Sequence, residues 1–377
     1  MRTLVHAPVK LVVLCALGLL SACSTVTTRQ DIEDTLPPLP VLPVGEPYSL
    51  SSHRFELDPD GSDMIGELRV TRADREDTFT DLARRFNVGY EELVRANPGV
   101  DPWLPGEGRE IVLPTQHLLP NAPHEGMVIN LAAMRLYYFP KVGRGEAKVV
   151  YTFPIGIGRV GWATPEGTTS ITRMAKNPTW RPGPGVRAEH AENGEILPAV
   201  VPPGPDNPLG TRALYLGWPT YLIHGTNKPA GVGLRSSHGC IRLFPEDIEF
   251  LYDLVRPGEK VTVVNQPFVF GWHQGQLHMQ AFDVLEDDPR DWQRGQRRLL
   301  MRGVGAKIQK ALQTSGSQID WDAVARLSHV PRGLPVSVSR KDESYERLIA
   351  QAMRVRNAVP IGATWGGEPV ETTEPSP

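Results

Sequence analysis

The stretch that decides how this chain is read is Ser237-His238-Gly239-Cys240-Ile241-Arg242-Leu243, with His224-Gly225-Thr226 upstream of it. It sets a cysteine two residues after a histidine and directly after a glycine. Attack on an amide needs a nucleophile that ionises near neutral pH, and a thiol serves once its pKa falls below about 8.5. Two imidazoles within reach supply a base and stabilise the thiolate. An extended chain over 238–240 puts His238 and Cys240 on one face, so the residues alone leave both His224 and His238 open as the base. Gly239 permits a sharp turn that aims its own N–H and that of Cys240 at a developing oxyanion. Arg242 fits a substrate carboxylate through two parallel hydrogen bonds, or else a structural ion pair with Asp247. Ser237 reads as a substrate contact or a turn residue.

The chain has three cysteines, Cys15, Cys23 and Cys240. Arg2 and Lys10 flank the apolar run Leu11–Leu20, which is too short to span a bilayer and suits a signal-peptide core. The run ends in Leu20-Ser21-Ala22-Cys23, which resembles a bacterial lipobox and implies lipidation at Cys23. Ser24 then implies the outer membrane of a Gram-negative cell, with the protein facing the periplasm. Losing Arg2 and Lys10 would take the formal charge from −3 to about −5, so no basic excess points to nucleic acid. Cys240 is left without a cysteine partner in an oxidising compartment.

Residues 23–66 read as a lipidated N-terminus and tether, because Pro37, Pro38, Pro40 and Pro43 interrupt any helix. Proline-rich chain extends by about 3.1 Å per residue, so some 20 residues reach on the order of 60 Å. Residues 67–117 read as a βααβ unit. Leu68-Val70 is a strand, Thr78-Phe79-Thr80-Asp81 resembles a capping box, and Tyr90 to Ala96 is a second helix stopped by Asn97-Pro98-Gly99. Ile111 to Pro114 is a closing strand. The segment LARRFNVGYEELVRANPGVDPWLPG resembles a LysM module, which implies binding to glycan strands.

From Gly126 the pattern turns to short strands between Gly/Pro-rich loops, which predicts a mainly β fold of sandwich or barrel type over 126–266. Strands are expected at Met127–Asn130, Arg135–Phe139, Val149–Ile157, Ser170–Met174, Ala213–Leu216, Tyr221–His224 and Lys260–Val264, with a helix from Ile248 to Val255. Residues 267–290 read as a β-hairpin extension. A helical C-terminal extension over 291–357 follows, with a basic amphipathic helix from Asp291 to Thr314 and another from Glu343 to Arg356. Residues 358–377 read as a disordered tail. His124, His190, His273 and His278 form no ligand pattern with the site, so neither a metal nor an organic cofactor is expected.

Residues from about Met127 to Val264 resemble the YkuD-type catalytic domain of L,D-transpeptidases. The resemblance rests on His224-Gly225-Thr226-Asn227, Gly231-Val232-Gly233-Leu234-Arg235 and the Ser237–Leu243 stretch. Supporting pieces are Pro154-Ile155-Gly156-Ile157-Gly158, Thr164-Pro165-Glu166-Gly167-Thr168 and Asn177-Pro178-Thr179-Trp180. With the LysM-like unit in front, the order resembles the enterobacterial subgroup that links a lipoprotein to the wall.

The resemblance implies that Cys240 takes the acyl group of a peptidoglycan stem and passes it to an amine. That amine belongs to a second stem, or to a lysine of an outer-membrane lipoprotein. It also implies that His224 moves the proton, oriented by a nearby backbone carbonyl such as that of Thr226. His238 then shapes the pocket and polarises the substrate carbonyl, with Gly225 and Thr226 beside the substrate. A hydrolase on the same fold and a non-catalytic wall-binding lipoprotein are the other readings.

Overall fold

A computed structural model describes residues 53–292, 309, 312–313, 318–340 and 343–359. The expected signal segment, Cys23, the tether up to residue 52, nearly all of the basic helix and the tail from residue 360 lie outside those residues.

In chain order the elements begin with β1 (Arg54–Glu56), β2 (Met64–Gly66), β3 (Arg69–Arg72), α1 (Phe79–Arg85), α2 (Tyr90–Ala96), β4 (Glu110–Leu113) and β5 (Gln116–Leu118). There follow β6 (Gly126–Asn130), β7 (Arg135–Phe139), β8 (Val149–Pro154), β9 (Ile157–Gly158), β10 (Gly167–Lys176), α3 (Pro184–Glu192), β11 (Arg212–Leu216) and β12 (Leu222–His224). Then come β13 (Arg235–Ser237), β14 (Ile241–Arg242), α4 (Pro245–Leu254), β15 (Lys260–Val264), β16 (Phe268–His273) and β17 (Gln276–Ala281). The described chain closes with α5 (Trp321–His329), β18 (Val336–Ser337), α6 (Tyr345–Ala350) and β19 (Met353–Arg354).

The fold is mainly β. Nine strands form one mixed sheet in the order β1-β8-β7-β6-β15-β10-β11-β12-β14. Only β6–β15 and β12–β14 pair in parallel. The sheet curls, because Gly156, just past β8, bridges to Arg242 in the far edge strand β14. Alternation explains the two faces. Met127, Ile129, Leu136, Phe153, Leu214, Ile223 and Ile241 point into one enclosed core, which Ile248 and Leu251 of α4 seal. Val128, Tyr137, Phe139 and Val150 point the other way, against Ile65 and Leu119.

The helical module stands beside this sheet. The reciprocal capping box forms, with Asp81 N–H donating to Thr78 Oγ1 (3.3 Å) and Thr78 N–H donating to Asp81 Oδ2 (2.9 Å). Phe79, Leu82, Phe86, Leu93, Ile111 and Leu113 make its core.

Four expectations change. The tether does not run to residue 66: β1 pairs with β8 and β2 with β5, because Phe55 and Ile65 cover the sheet's outer apolar face. The hairpin β16–β17 does not extend the large sheet. It joins β18 in a separate sheet, whose core of Phe270, Leu277 and Met279 packs on Val324 and Leu327 of α5. The expected Glu343–Arg356 helix ends at Ala350, and the C-terminal extension is not wholly helical. There β19 adds in parallel to β3 and Val355 enters the module's core, so tertiary burial overrides local helix preference. Finally, α3 forms in the β10–β11 connection, where loops were expected.

Candidate active site

Sheet register brings the site together. Ala175, Ala213, His224 and Arg242 are successive cross-strand partners on β10, β11, β12 and β14. The next row is Arg173, Tyr215 and Leu222. Cys240 stands two residues before Arg242, so an extended chain puts it on the same face as His224 and Arg242. Met174, Leu214, Ile223 and Ile241, one residue out of phase, face the opposite side and belong to the core. Cys240, His224, His238 and Arg242 line one cleft of about 1120 Å³, walled by Trp162, Trp180, Trp218 and Tyr221.

The turn that carries the thiol is fixed atom by atom. Gly239 sits at φ +97°, and a Cβ there would lie 2.8 Å from Cε1 of Tyr221, so only glycine fits. Ser237 is buried; its hydroxyl donates to Cys240 O (2.5 Å) and accepts from Gly239 N–H (3.2 Å). Thr164 Oγ1 donates to Gly239 O (2.9 Å). Of its two readings, Ser237 takes that of a turn residue. One expectation is corrected: the Gly239 N–H is already occupied, which leaves the Cys240 N–H as the oxyanion donor of this turn.

Cys240 Sγ lies 3.5 Å from Thr220 O. Burial pushes its pKa up, against the smaller downward pulls of the Leu222 backbone and of Arg242. That direction is opposite to the lowered thiol pKa expected from the sequence. His224 is buried and neutral. Burial and then the Arg242 charge lower its pKa to about 3, against the opposing contact with the Gly225 carbonyl. Its Nδ1 lies 2.6 Å from Gly225 O. A carbonyl only accepts, so Nδ1 carries the proton and Nε2 keeps its lone pair. The orienting carbonyl is Gly225's, not Thr226's. Thr226 is buried, and its hydroxyl accepts from Lys228 N–H (2.9 Å).

Arg242 does not pair with Asp247. Its Nη1 donates to Ser236 Oγ (3.2 Å) and its Nε is buried without a partner, while Asn87 of the helical module donates to Asp247 Oδ1 (2.6 Å). Among the described residues the guanidinium therefore has no acidic partner.

Residues that sequence reasoning missed surround His238. Arg159 Nη2 lies 3.1 Å from His238 Nε2, and an arginine N–H can only donate. Glu189 of α3 is farther from that nitrogen, at 3.4 Å, and its carboxylate already accepts from Arg159 and from Trp162 Nε1 (3.0 Å). The nearer contact makes Nε2 the acceptor, so the proton of a neutral His238 sits on Nδ1. Burial, then Arg159, lowers the pKa of His238, against the opposing pull of Glu189. Pro184 at the first turn of α3 was the available signal. The helix escaped notice because it buries no residue and so has no apolar periodicity.

His190 pairs with Glu195 (2.7 Å), its ring 6.0 Å from that of His238. Among the described residues no group of three or more His, Cys, Asp or Glu side chains could hold a metal ion.

The YkuD family, described as the L,D-transpeptidase catalytic domain, matches residues 125–263. Among similar proteins, "Probable L,D-transpeptidase YcfS" of Escherichia coli (strain K12) is 37% identical over 79% of this chain and 92% of its own length. "Probable L,D-transpeptidase ErfK/SrfK" of the same strain is 36% identical over 76% and 90%. "Probable L,D-transpeptidase YbiS", also of that strain, is 44% identical over 59% and 72%. A relative of such identity aligned over nearly its whole length settles the matter: the chain belongs to the L,D-transpeptidase family.

Proposed function

We propose that this protein is a cysteine-dependent L,D-transpeptidase that acts on peptidoglycan stems, with Cys240 as nucleophile and His224 as the proton carrier. The observation that carries the reading is the shared sheet face. It presents the thiol, the free Nε2 lone pair of His224 and Arg242, which has no acidic partner among the described residues, to one cleft.

With burial raising the pKa of the thiol and lowering that of the imidazole, proton transfer accompanies attack. His224 Nε2 takes the thiol proton as sulfur bonds to the carbonyl carbon between the L-centre of a diaminopimelate-type residue and the terminal D-alanine. The oxygen that gains charge receives hydrogen bonds from the Cys240 N–H and His238 Nδ1–H. The C–N bond breaks, His224 returns the proton to the leaving nitrogen, and D-alanine departs from a thioester. An amine then attacks that carbonyl; His224 accepts its proton and passes it to sulfur, which leaves as the thiol. Arg242 orients a substrate carboxylate next to the reacting centre.

An amine of a second stem gives a 3→3 cross-link; a lysine of a lipoprotein gives an anchored protein. The lipobox-like Leu20-Ser21-Ala22-Cys23 supports lipid anchoring in the periplasm, at the outer membrane. Trp103, 61% exposed with its ring 6.4 Å from that of Tyr90, supports glycan contact by the LysM-like module.

The test is covalent labelling followed by product analysis. A carbapenem is expected to add once to the protein, and Cys240→Ala to abolish the mass increase. Disaccharide-tetrapeptide, with and without a lysine-ending peptide, is expected to give dimeric muropeptide or a peptide conjugate. Tripeptide alone would overturn the transferase reading.

A further inference from the structure

The cleft over the thiol is charged in one sense only. Among the described residues, Arg173, Lys176, Arg181 and Arg242 line it, and no aspartate or glutamate does. This stands against the chain as a whole, which carries 43 acidic and 40 basic residues. Glu189, at the rim, is already paired with Arg159. An acid-free cleft with several cations concentrates an anionic ligand.

The four cations are not equivalent. Arg242 stands at the thiol. Lys176 turns its ammonium to the Tyr252 ring, 5.6 Å from the centroid. Arg173 instead stands over Tyr215, its guanidinium carbon 3.5 Å from the ring centroid. Neither Arg173 nor Arg181 has an acidic partner among the described residues. Both are exposed at the cleft.

Register fixes how far Arg173 stands from the chemistry. It pairs with Tyr215, Tyr215 pairs with Leu222, and the β12–β14 register sets Leu222 beside Cys240. Three strand spacings of about 4.8 Å amount to about 14 Å. The three residues on the acyl side of a tetrapeptide's scissile bond, at about 3.4 Å each, reach about 10 Å of that.

We propose that Arg173, with Arg181, forms a carboxylate-binding subsite for the acyl donor, three strands from Cys240. The enzyme then selects acidic peptides that carry a free carboxylate remote from the bond to be broken. This rests on the reading that a peptide donor acylates Cys240. It adds a specificity determinant on a strand that carries none of the reacting groups.

The experiment compares two tetrapeptide donors that differ only in whether the carboxylates N-terminal to the scissile residue are free or amidated. For the unsubstituted protein, amidation is expected to lower kcat/KM about tenfold, mainly through KM, as loss of one charge-assisted contact does. Arg173→Gln is expected to erase most of that difference and Arg173→Gln/Arg181→Gln all of it. Arg173→Lys keeps the charge but not the fork and is expected to fall between. Equal turnover of the two donors by the unsubstituted protein, or an undiminished difference in the double variant, overturns the subsite. Failure of the unsubstituted protein to form a carbapenem adduct at Cys240 counts against the nucleophile assignment instead, so the two failures are told apart.

Discussion

Glu92 of α2 and Arg135 of β7 form a buried, two-pronged ion pair, with Nη2–Oε2 at 2.6 Å and Nε–Oε1 at 2.8 Å. Glu92 Oε2 also accepts from Gly89 N–H (2.6 Å), so one carboxylate caps its own helix and fastens the module to the catalytic sheet. Arg84–Glu246 and Asn87–Asp247 add two further ties to α4. At Gly233, φ +79°, a Cβ would stand 2.2 Å from Tyr90 N, so module and catalytic loop touch backbone to backbone.

Breaking that pair on one side strands a buried charge, which costs about 3–5 kcal/mol. Glu92→Gln is therefore expected to lower Tm sharply, and replacing both residues by methionine to restore much of the loss. Thermal unfolding followed by circular dichroism checks this. Equal losses in the single and double variants would rule out the ion pair as the source.

The tautomer of His238 is expected to depend on Arg159. Its positive charge helps hold the pKa of His238 below the ordinary value, so Arg159→Gln should raise it. Glu189 acts in the opposite sense, so Glu189→Gln should lower it further. Ring 15N shifts of His238 should report Nδ1–H in the unsubstituted protein and a mixture in Arg159→Gln. The acid limb of the pH–rate profile should move up in pH for Arg159→Gln and down for Glu189→Gln.

The raised pKa of the thiol predicts slow alkylation. Burial raises the pKa of Cys240, so its reaction with iodoacetamide should climb only above the range of a free thiol, about 8.5. Arg242→Gln removes a charge that favours the thiolate and should shift the climb still higher. A titration centred near neutral pH would contradict the proton-transfer step described above.

Gly239→Ala is expected to lose activity by at least about a hundredfold while remaining folded. The new Cβ meets Tyr221 and the backbone must adopt a strained φ, which costs of order 1–3 kcal/mol and swings the thiol out of register. Pairing it with Tyr221→Ala removes the clash but not the strain. That double variant should recover only part of the carbapenem acylation rate.

Buried histidines should make acid destabilise the fold from about pH 6.5 downward. His224 titrates at about 3 when folded, against an ordinary value near 6.5. His117 is also held well below its ordinary value by burial. Between those limits the unfolded chain binds more protons than the folded one, so stability falls as pH drops from about 6.5 towards 3. Chemical denaturation midpoints across that range test the slope, and His117→Gln should flatten it.

The chain itself determined the chemistry-bearing residues and the alternation that makes the sheet. His238-Gly239-Cys240 and His224 are legible because a nucleophile, two imidazoles and an obligatory glycine lie close together in sequence. Met127–Asn130, Arg135–Phe139 and Lys260–Val264 are legible because apolar residues on them recur with the period of a strand. What only tertiary structure decided depends on residues far apart in the chain. Arg159, Glu189 and Trp162 meet His238 through a helix with no apolar stripe, and Asp247 is taken by Asn87, 160 positions away, which frees Arg242. The protonation of the thiol belongs there too, since a pKa is set by burial and by neighbouring charges, neither of which a linear pattern records.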